Sequence, residues 1–301
     1  MAQTQWMAVD WGTSNVRAWG LGPDGAQTFA AESDRGMGRI TRADYPAVLS
    51  DLIGGRFAAG DIIVCGMAGA RQGWIEAPYL ELPADLHTLT TGAVTPSDGL
   101  AGLRVRILPG ICQRGGSEDV MRGEETQLLG LLGLRPGFEG TVILPGTHSK
   151  WVTIEGGRVA RFASAMTGEL FDLLSKHSVL RHTVGSGGDG AEASAGRAEG
   201  VVAGLDDPQL LTSLLFRARA AALLSGKTPD WCAGYLSGLL IATEIAGHRA
   251  WLRGGLVPLI GSAGLCALYA QVLDRMGAES LVIPAADATM AGLRQARSQL
   301  A

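Results

Sequence analysis

Apolar and polar positions change their period repeatedly along the chain, and each change marks an element. Residues 5–10 and 16–21 are short β-rich runs around the turn-forming Gly12-Thr13-Ser14-Asn15, so the chain is expected to open on a hairpin. Residues 45–56 carry apolar side chains at helical spacing, and 61–65 form a β-rich run that stops at Gly66. A strand is expected at 105–108, ended by Pro109-Gly110. A helix over 119–134 follows, with Val120, Leu128, Leu129, Leu131 and Leu132 on its spacing.

From Thr141 the opening layout repeats as strand 142–144, turn Pro145-Gly146-Thr147-His148-Ser149, strand 151–154 and, after a second turn, strand 159–162. Residues 185–200 are rich in Gly, Ala and Ser and nearly free of large apolar side chains, which reads as a mobile surface loop. Helices are expected at 208–225 and 229–248. A strand at 257–260, the turn Gly261-Ser262-Ala263-Gly264 and a helix over 265–276 come next. The chain closes on a strand at 280–283 and a helix from Asp287. Helix alternating with strand predicts an α/β architecture. The break between domains is expected near 112–117, giving 1–115 and 116–301.

With 301 residues, 47% hydrophobic and 18% charged, the chain has apolar material for two ordinary domains. The net charge is −4, and Lys and Arg are scattered along the sequence, so nothing supplies the phosphate-backbone attraction of a nucleic-acid binder. Cys65, Cys112, Cys232 and Cys266 are far apart and form no C-x-x-C pair, which argues against zinc or a disulfide framework and for a reducing compartment. The apolar run 231–243 is too short to span a bilayer and runs into Glu244. A cytoplasmic location without a membrane partner is expected.

Several segments suggest chemistry. Asp10 stands at a strand end before a Gly-Thr-Ser turn, where backbone N–H groups and hydroxyls suit phosphate oxygens and the acid suits water-bridged Mg²⁺. An ordinary hairpin with a polar turn explains the same residues equally well. Gly146-Thr147 is a second such turn, with His148 and Lys150 beside it. Glu124 and Glu125 stand at an expected helix start, where the helix dipole favours acids in any case and where a carboxylate can also take a proton from a substrate hydroxyl. Gly261-Ser262-Ala263-Gly264 suits close approach of a nucleoside to backbone, or simply tight helix-to-strand packing. The loop after Gly66 brings Arg71, Gln72 and Trp74 to the carboxyl edge of a strand, and Arg71, Arg114 and Arg122 are each able to pair with a substrate carboxylate or to form a surface ion pair.

Taken in order, these segments resemble the actin/hexokinase-like carbohydrate kinases of the xylulokinase and glycerol kinase class. The phrases MAVDWGTSNVRAW, GMAGARQGW, RGEETQLLG, LPGTHSKWV and MTGELFDLL, with the short length, resemble more closely the 2-dehydro-3-deoxygalactonokinase family. The resemblance implies two ribonuclease-H-like α/β domains with an interdomain cleft, and MgATP and a sugar acid as ligands. The reaction implied is phosphorylation of the 6-hydroxyl of 2-dehydro-3-deoxy-D-galactonate; the alternatives are a same-fold kinase for another 2-keto-3-deoxy acid or a neutral sugar, and a non-catalytic sensor of sugar or ATP. It also implies nucleotide contacts at Asp10, Gly12, Thr13, Ser14, Gly146, Thr147, Gly261, Ser262 and Gly264. Sugar contacts fall on Arg71, Gln72, Trp74, Arg114, Arg122 and Lys150. Where the wider class has a catalytic Asp, this chain has Glu124, so Glu124 is expected to be the base with Glu125 second. A homodimer is the candidate assembly.

Overall fold

The computed structural model describes residues 3–185, 188 and 190–300. Strands β1 (Trp6–Trp11) and β2 (Val16–Leu21) form the expected hairpin, with Asp10 opposite Arg17, and β3 (Gln27–Ser33) extends it. Helix α1 (Tyr45–Ile53) stops at Gly54, whose φ of 54° is the left-handed conformation that glycine adopts without a Cβ penalty. The chain then enters β4 (Gly60–Gly66), parallel to β1. Short strands β5 (Tyr79–Glu81) and β6 (Ala84–Asp85) precede β7 (Leu103–Ile107), parallel to β4. The sheet order is β3-β2-β1-β4-β7. Met7, Val9 and Trp11 from β1 pack with Tyr45, Val48, Leu49 and Leu52 of α1 in its core.

The helix expected over 119–134 is shorter. Strand β8 (Gly110–Gln113) offers a free ladder, and β9 (Asp119–Met121) pairs with it before α2 (Glu124–Leu134) begins. Gly123, at a φ of 108°, makes the break.

Next come β10 (Gly140–Leu144), β11 (Ser149–Glu155) and β12 (Arg158–Ala165), followed by helix α3 (Thr167–His177), which the sequence reading did not anticipate. Helices α4 (Ala191–Asp206), α5 (Leu211–Ser225) and α6 (Pro229–Gly247) lead to β13 (Val257–Gly261), α7 (Ala263–Arg275), β14 (Ser280–Pro284) and α8 (Ala285–Leu300). The order of the second sheet is β14-β13-β10-β11-β12-β6, and its first five strands repeat the order β7-β4-β1-β2-β3.

Residues 191–200, expected as loop, are helix. Their small side chains serve packing: a Cβ on Gly196 or Gly200 would overlap the Trp231 or Tyr235 carbonyl of α6. Composition that resembles a flexible linker is here a stripe that lets two helix backbones touch. Of the expected loop, residues 186, 187 and 189 lie outside the described residues.

The chain divides into two units, and the division differs from the expected break at 115. One unit holds the described residues through Glu139, Ile154–Phe162 and α8; the other holds Gly140–Thr153 and Ala163–Pro284. Helices α2 and α8 interlock through glycine, since a Cβ on Gly130 would overlap the Ala288 carbonyl and one on Gly292 the Thr126 carbonyl. That contact keeps residues 116–139 and the last helix in the first unit. Among the described residues, no helix is long and apolar enough to cross a membrane.

Candidate functional site

In the first unit, the parallel register of β1 and β4 sets Asp10 beside Cys65 and Trp11 beside Gly66. The Cys65 thiol donates to Asp10 Oδ1 at 3.8 Å. Burial pushes the Asp10 carboxyl above its usual range, against the pull of Arg17 and of the thiol. The turn closes through Gly12 N–H donating to the Asn15 carbonyl at 2.8 Å, and Thr13 and Ser14 are exposed. A following segment covers it by main chain alone. Gly36, Met37 and Gly38 N–H groups donate to the carbonyls of Ser14, Gly12 and Thr13 at 3.1, 3.0 and 2.8 Å.

The loop after β4 starts at Gly66, whose φ is 84°, and a Cβ there would stand 2.6 Å from the Trp11 carbonyl oxygen. A Cβ on Gly123 would in turn stand 3.5 Å from Gly66 Cα, so the start of α2 lies at the same sheet edge as Asp10. Glu124 is half-buried, and its Oε2 accepts the Arg122 N–H at 3.0 Å. Glu125 has no exposure, and its carboxyl accepts Gly123 N–H at 2.7 Å and the Thr126 hydroxyl at 3.2 Å. Burial, with the Glu124 charge adding, pushes it up to about 8. Glu125 therefore shapes the helix start from inside, while Glu124 stands nearer the surface.

The expected sugar contacts separate on inspection. Arg71 and Gln72 are exposed on the loop, and the Arg71 guanidinium has no ion pair or hydrogen bond among the described residues. Arg42, which the sequence reading missed, holds the loop by donating to the Arg71 carbonyl at 2.8 Å and the Gly73 carbonyl at 3.0 Å. No sequence signal marks it, because the contact spans about thirty residues and uses only carbonyls.

Trp74 is a correction: it is 2% exposed, stacks on Tyr45 with ring centroids 5.7 Å apart, and donates its indole N–H to Asp98. It belongs to the core beneath the loop, because its bulk fills the space over α1. Lys150 is buried within β11, just past the turn. Arg114 is exposed and paired with Glu81 at 2.7 Å. Arg122 donates Nη2 to the Ala77 carbonyl at 2.8 Å and lies 4.3 Å over the Tyr79 ring, with Nε and Nη1 buried and without a hydrogen-bond partner among the described residues.

In the second unit, the turn after β10 leaves Thr147 and His148 exposed, and nothing lies within 4 Å of a Cβ built on Gly146. The first residues of α3 close on this turn. A Cβ on Gly168 would stand 2.5 Å from the Gly146 carbonyl oxygen, Glu169 N–H donates to the Thr147 carbonyl at 3.0 Å, and His148 pairs with the Glu169 carboxylate. Because β10 and β13 are parallel neighbours, Gly261 comes close to the same turn, and a Cβ on it would stand 3.1 Å from the Pro145 carbonyl oxygen. Ser262 and Gly264 are exposed at the N-terminus of α7. Such a terminus suits an anionic or nucleoside ligand.

Two sheets that share a five-strand order, each with a strand, a Gly-Thr turn and a returning strand, give an α/β fold of the actin/hexokinase-like class. Comparison with known proteins narrows this. The model of the 2-keto-3-deoxy-galactonokinase family matches residues 10–296. A Rhizobium meliloti (strain 1021) protein named as a probable 2-dehydro-3-deoxygalactonokinase is 42% identical over 96% of this chain and 95% of its own. The 2-dehydro-3-deoxygalactonokinase of Escherichia coli (strain K12) is 33% identical over 96% of each chain. A crystal structure of a Sinorhizobium meliloti protein bearing the same enzyme name superposes with a TM-score of 0.90 at 41% identity, covering 97% of this chain and 95% of that one. The chain belongs to the 2-keto-3-deoxy-galactonokinase family.

Proposed function

We propose that the protein transfers the γ-phosphoryl group of ATP to the 6-hydroxyl of 2-keto-3-deoxygalactonate. The observation that carries this reading is the meeting of three sequence-distant segments at one sheet edge of the first unit: Asp10 with its turn, the loop from Gly66, and the start of α2 at Gly123-Glu124. The names of the relatives support the acceptor.

Gly12, Thr13 and Ser14 are proposed to meet ATP phosphates, as are Gly146 and Thr147, while Gly261, Ser262 and Gly264 receive the nucleoside. Asp10 fits Mg²⁺, because a carboxylate penalised by burial gains from a cation and Mg²⁺ accepts one protein oxygen with waters and phosphate for the rest. When bound, the ion would neutralise charge on the phosphate oxygens. Glu124 orients the substrate hydroxyl and takes its proton late in the transfer, when a loose transition state asks mainly for positioning. Glu125 holds the Gly123 N–H and so sets where Glu124 projects.

Arg71 and Gln72 receive the sugar acid. The Arg71 guanidinium, without an ion pair or hydrogen bond among the described residues, supports a carboxylate ligand, since two parallel N–H donors match its two oxygens. The test is an ADP-release assay with 2-keto-3-deoxygalactonate, other sugar acids and neutral sugars. ADP release should depend on an acidic acceptor. Arg71→Met should lower acceptor kcat/KM by about ten- to a hundredfold, with Arg71→Lys between and ATP affinity unchanged. Equal turnover of neutral sugars, together with a silent Arg71→Met, would overturn the substrate assignment.

A further inference from the structure

The turn at 145–149 ends on Ser149, which has no solvent exposure and lies 2.9 Å from the Tyr269 hydroxyl. Tyr269 donates to Glu244 Oε2 at 2.6 Å, the Trp151 indole N–H donates to Oε1 at 2.7 Å, and the Thr167 hydroxyl donates to Oε2. Glu244 comes from α6, Tyr269 from α7, Trp151 from β11, and Thr167 is the first residue of α3. One buried carboxylate thus gathers four elements of the second unit.

Its chemistry orients the chain of bonds. Because the Tyr269 hydroxyl donates its proton to Glu244 Oε2, its oxygen is left to accept, and the Ser149 hydroxyl donates to Tyr269. Ser149 Oγ is then left as an acceptor, and the Gly146 N–H faces it at 3.5 Å. The second arm runs through Thr167, whose neighbours Gly168 and Glu169 close on the Gly146 and Thr147 backbone. Both arms end on the same turn. An apolar side chain of similar volume would fill this core without the cost of desolvating a carboxylate, so stability alone does not account for an acid here.

We propose that Glu244 is a positioning residue for the phosphate turn: through Tyr269–Ser149 beneath and Thr167 beside, it holds Gly146 and Thr147 in the conformation that receives the nucleotide. This role rests on the ATP reading given above. The arrangement separates turn geometry from sugar recognition, whose candidate residues Arg71 and Gln72 belong to the other unit.

The test compares Tyr269→Phe, Thr167→Val and Thr167→Ser in the whole enzyme, by steady-state kinetics for each substrate and by calorimetric titration with ADP. Tyr269→Phe and Thr167→Val should each raise the ATP KM and the ADP Kd by about tenfold, the scale of one buried hydrogen bond lost. Thr167→Ser, which keeps the hydroxyl, should stay within about twofold of wild type, and the sugar-acid KM should not move. Unchanged ADP affinity in folded variants, or an equal rise in both KM values, would overturn the role. If Tyr269→Phe does not fold, the Thr167 pair at the helix edge decides alone. Wild-type protein that binds no ADP would instead mark failure of the ATP reading itself.

Discussion

The two Gly-Thr turns occupy the same place in the same strand order, yet they are held by different chemistry. Both are covered by a segment that brings a glycine close and donates N–H groups to turn carbonyls: Gly36 in the first unit, Gly168 with Glu169 in the second. Beneath the turns they diverge. The first is preceded by Asp10 and secured by main-chain bonds from residues 36–38; the position matching Asp10 before the second turn is Leu144, and the tie below is the Ser149–Tyr269–Glu244 chain. The turn that carries charge is thus held by backbone, which leaves its carboxylate for a ligand. The second turn, which lacks that acid, is held by a carboxyl placed elsewhere and buried, Glu244. Backbone anchoring tolerates side-chain change except where a Cβ would enter, whereas side-chain anchoring can be undone one hydroxyl at a time.

The largest effect should come from removing the charge that distinguishes them. Asp10→Asn keeps the hairpin and should lower turnover about a thousandfold, on the order of 4 kcal/mol of lost charge stabilisation, with thermal unfolding nearly unchanged. Wild-type turnover at limiting Mg²⁺ would remove Asp10 from the site.

A smaller effect is expected from striking what the turns share. A Cβ at Gly36 would stand 2.5 Å from Asn15 N and from the Thr13 carbonyl oxygen, and one at Gly168 would meet backbone at a similar distance. Neither neighbour is a flexible side-chain end. Gly36→Ala and Gly168→Ala should each cost about 1–3 kcal/mol and raise the ATP KM, as measured by urea unfolding and initial rates. Gly146→Val, whose Cβ has open space around it, should by contrast fold normally and lose ATP affinity. Wild-type ATP affinity in folded Gly146→Val would take this turn out of the nucleotide site.

A pH dependence is expected from Glu125, the buried acid at the start of α2. Burial pushes Glu125 up to about 8 from an ordinary value of 4.5, so the folded state favours the neutral form. The stability this contributes is complete below about 4.5 and is lost as pH rises through 8. Glu125→Gln cannot ionise, so its stability relative to wild type should increase steadily from pH 5 to pH 8. A constant difference across that range, read from urea midpoints, would show that Glu125 is already ionised in the fold.

Much of this was legible in one dimension. The β1–β2 hairpin, β4, β10, β11, α6 and β13 stand close to their expected places, because alternating or helical apolar spacing survives whichever neighbour each element finds. Asp10, Gly66, Glu124 and Gly146 were marked by strand ends and turns, which are local signals. The burial of Trp74 and Lys150 was not legible, because burial depends on what packs from outside the segment. Residues 191–200 were misjudged because small side chains fit both a loop and a close helix contact. Glu244 stood out only as the charge that ended an apolar run.

By itself, then, the sequence determined the order of elements, the two glycine turns and the acids at strand and helix ends. These depend on backbone conformations that single residues prefer or forbid. Tertiary structure alone decided that α8 returns to pack on α2, that Arg42 clamps the Arg71 loop, and that Glu244 gathers Trp151, Thr167 and Tyr269 under the second turn. Each of these joins residues far apart in the chain, and a hydrogen bond or a backbone contact between distant segments leaves no periodicity for a single sequence to display.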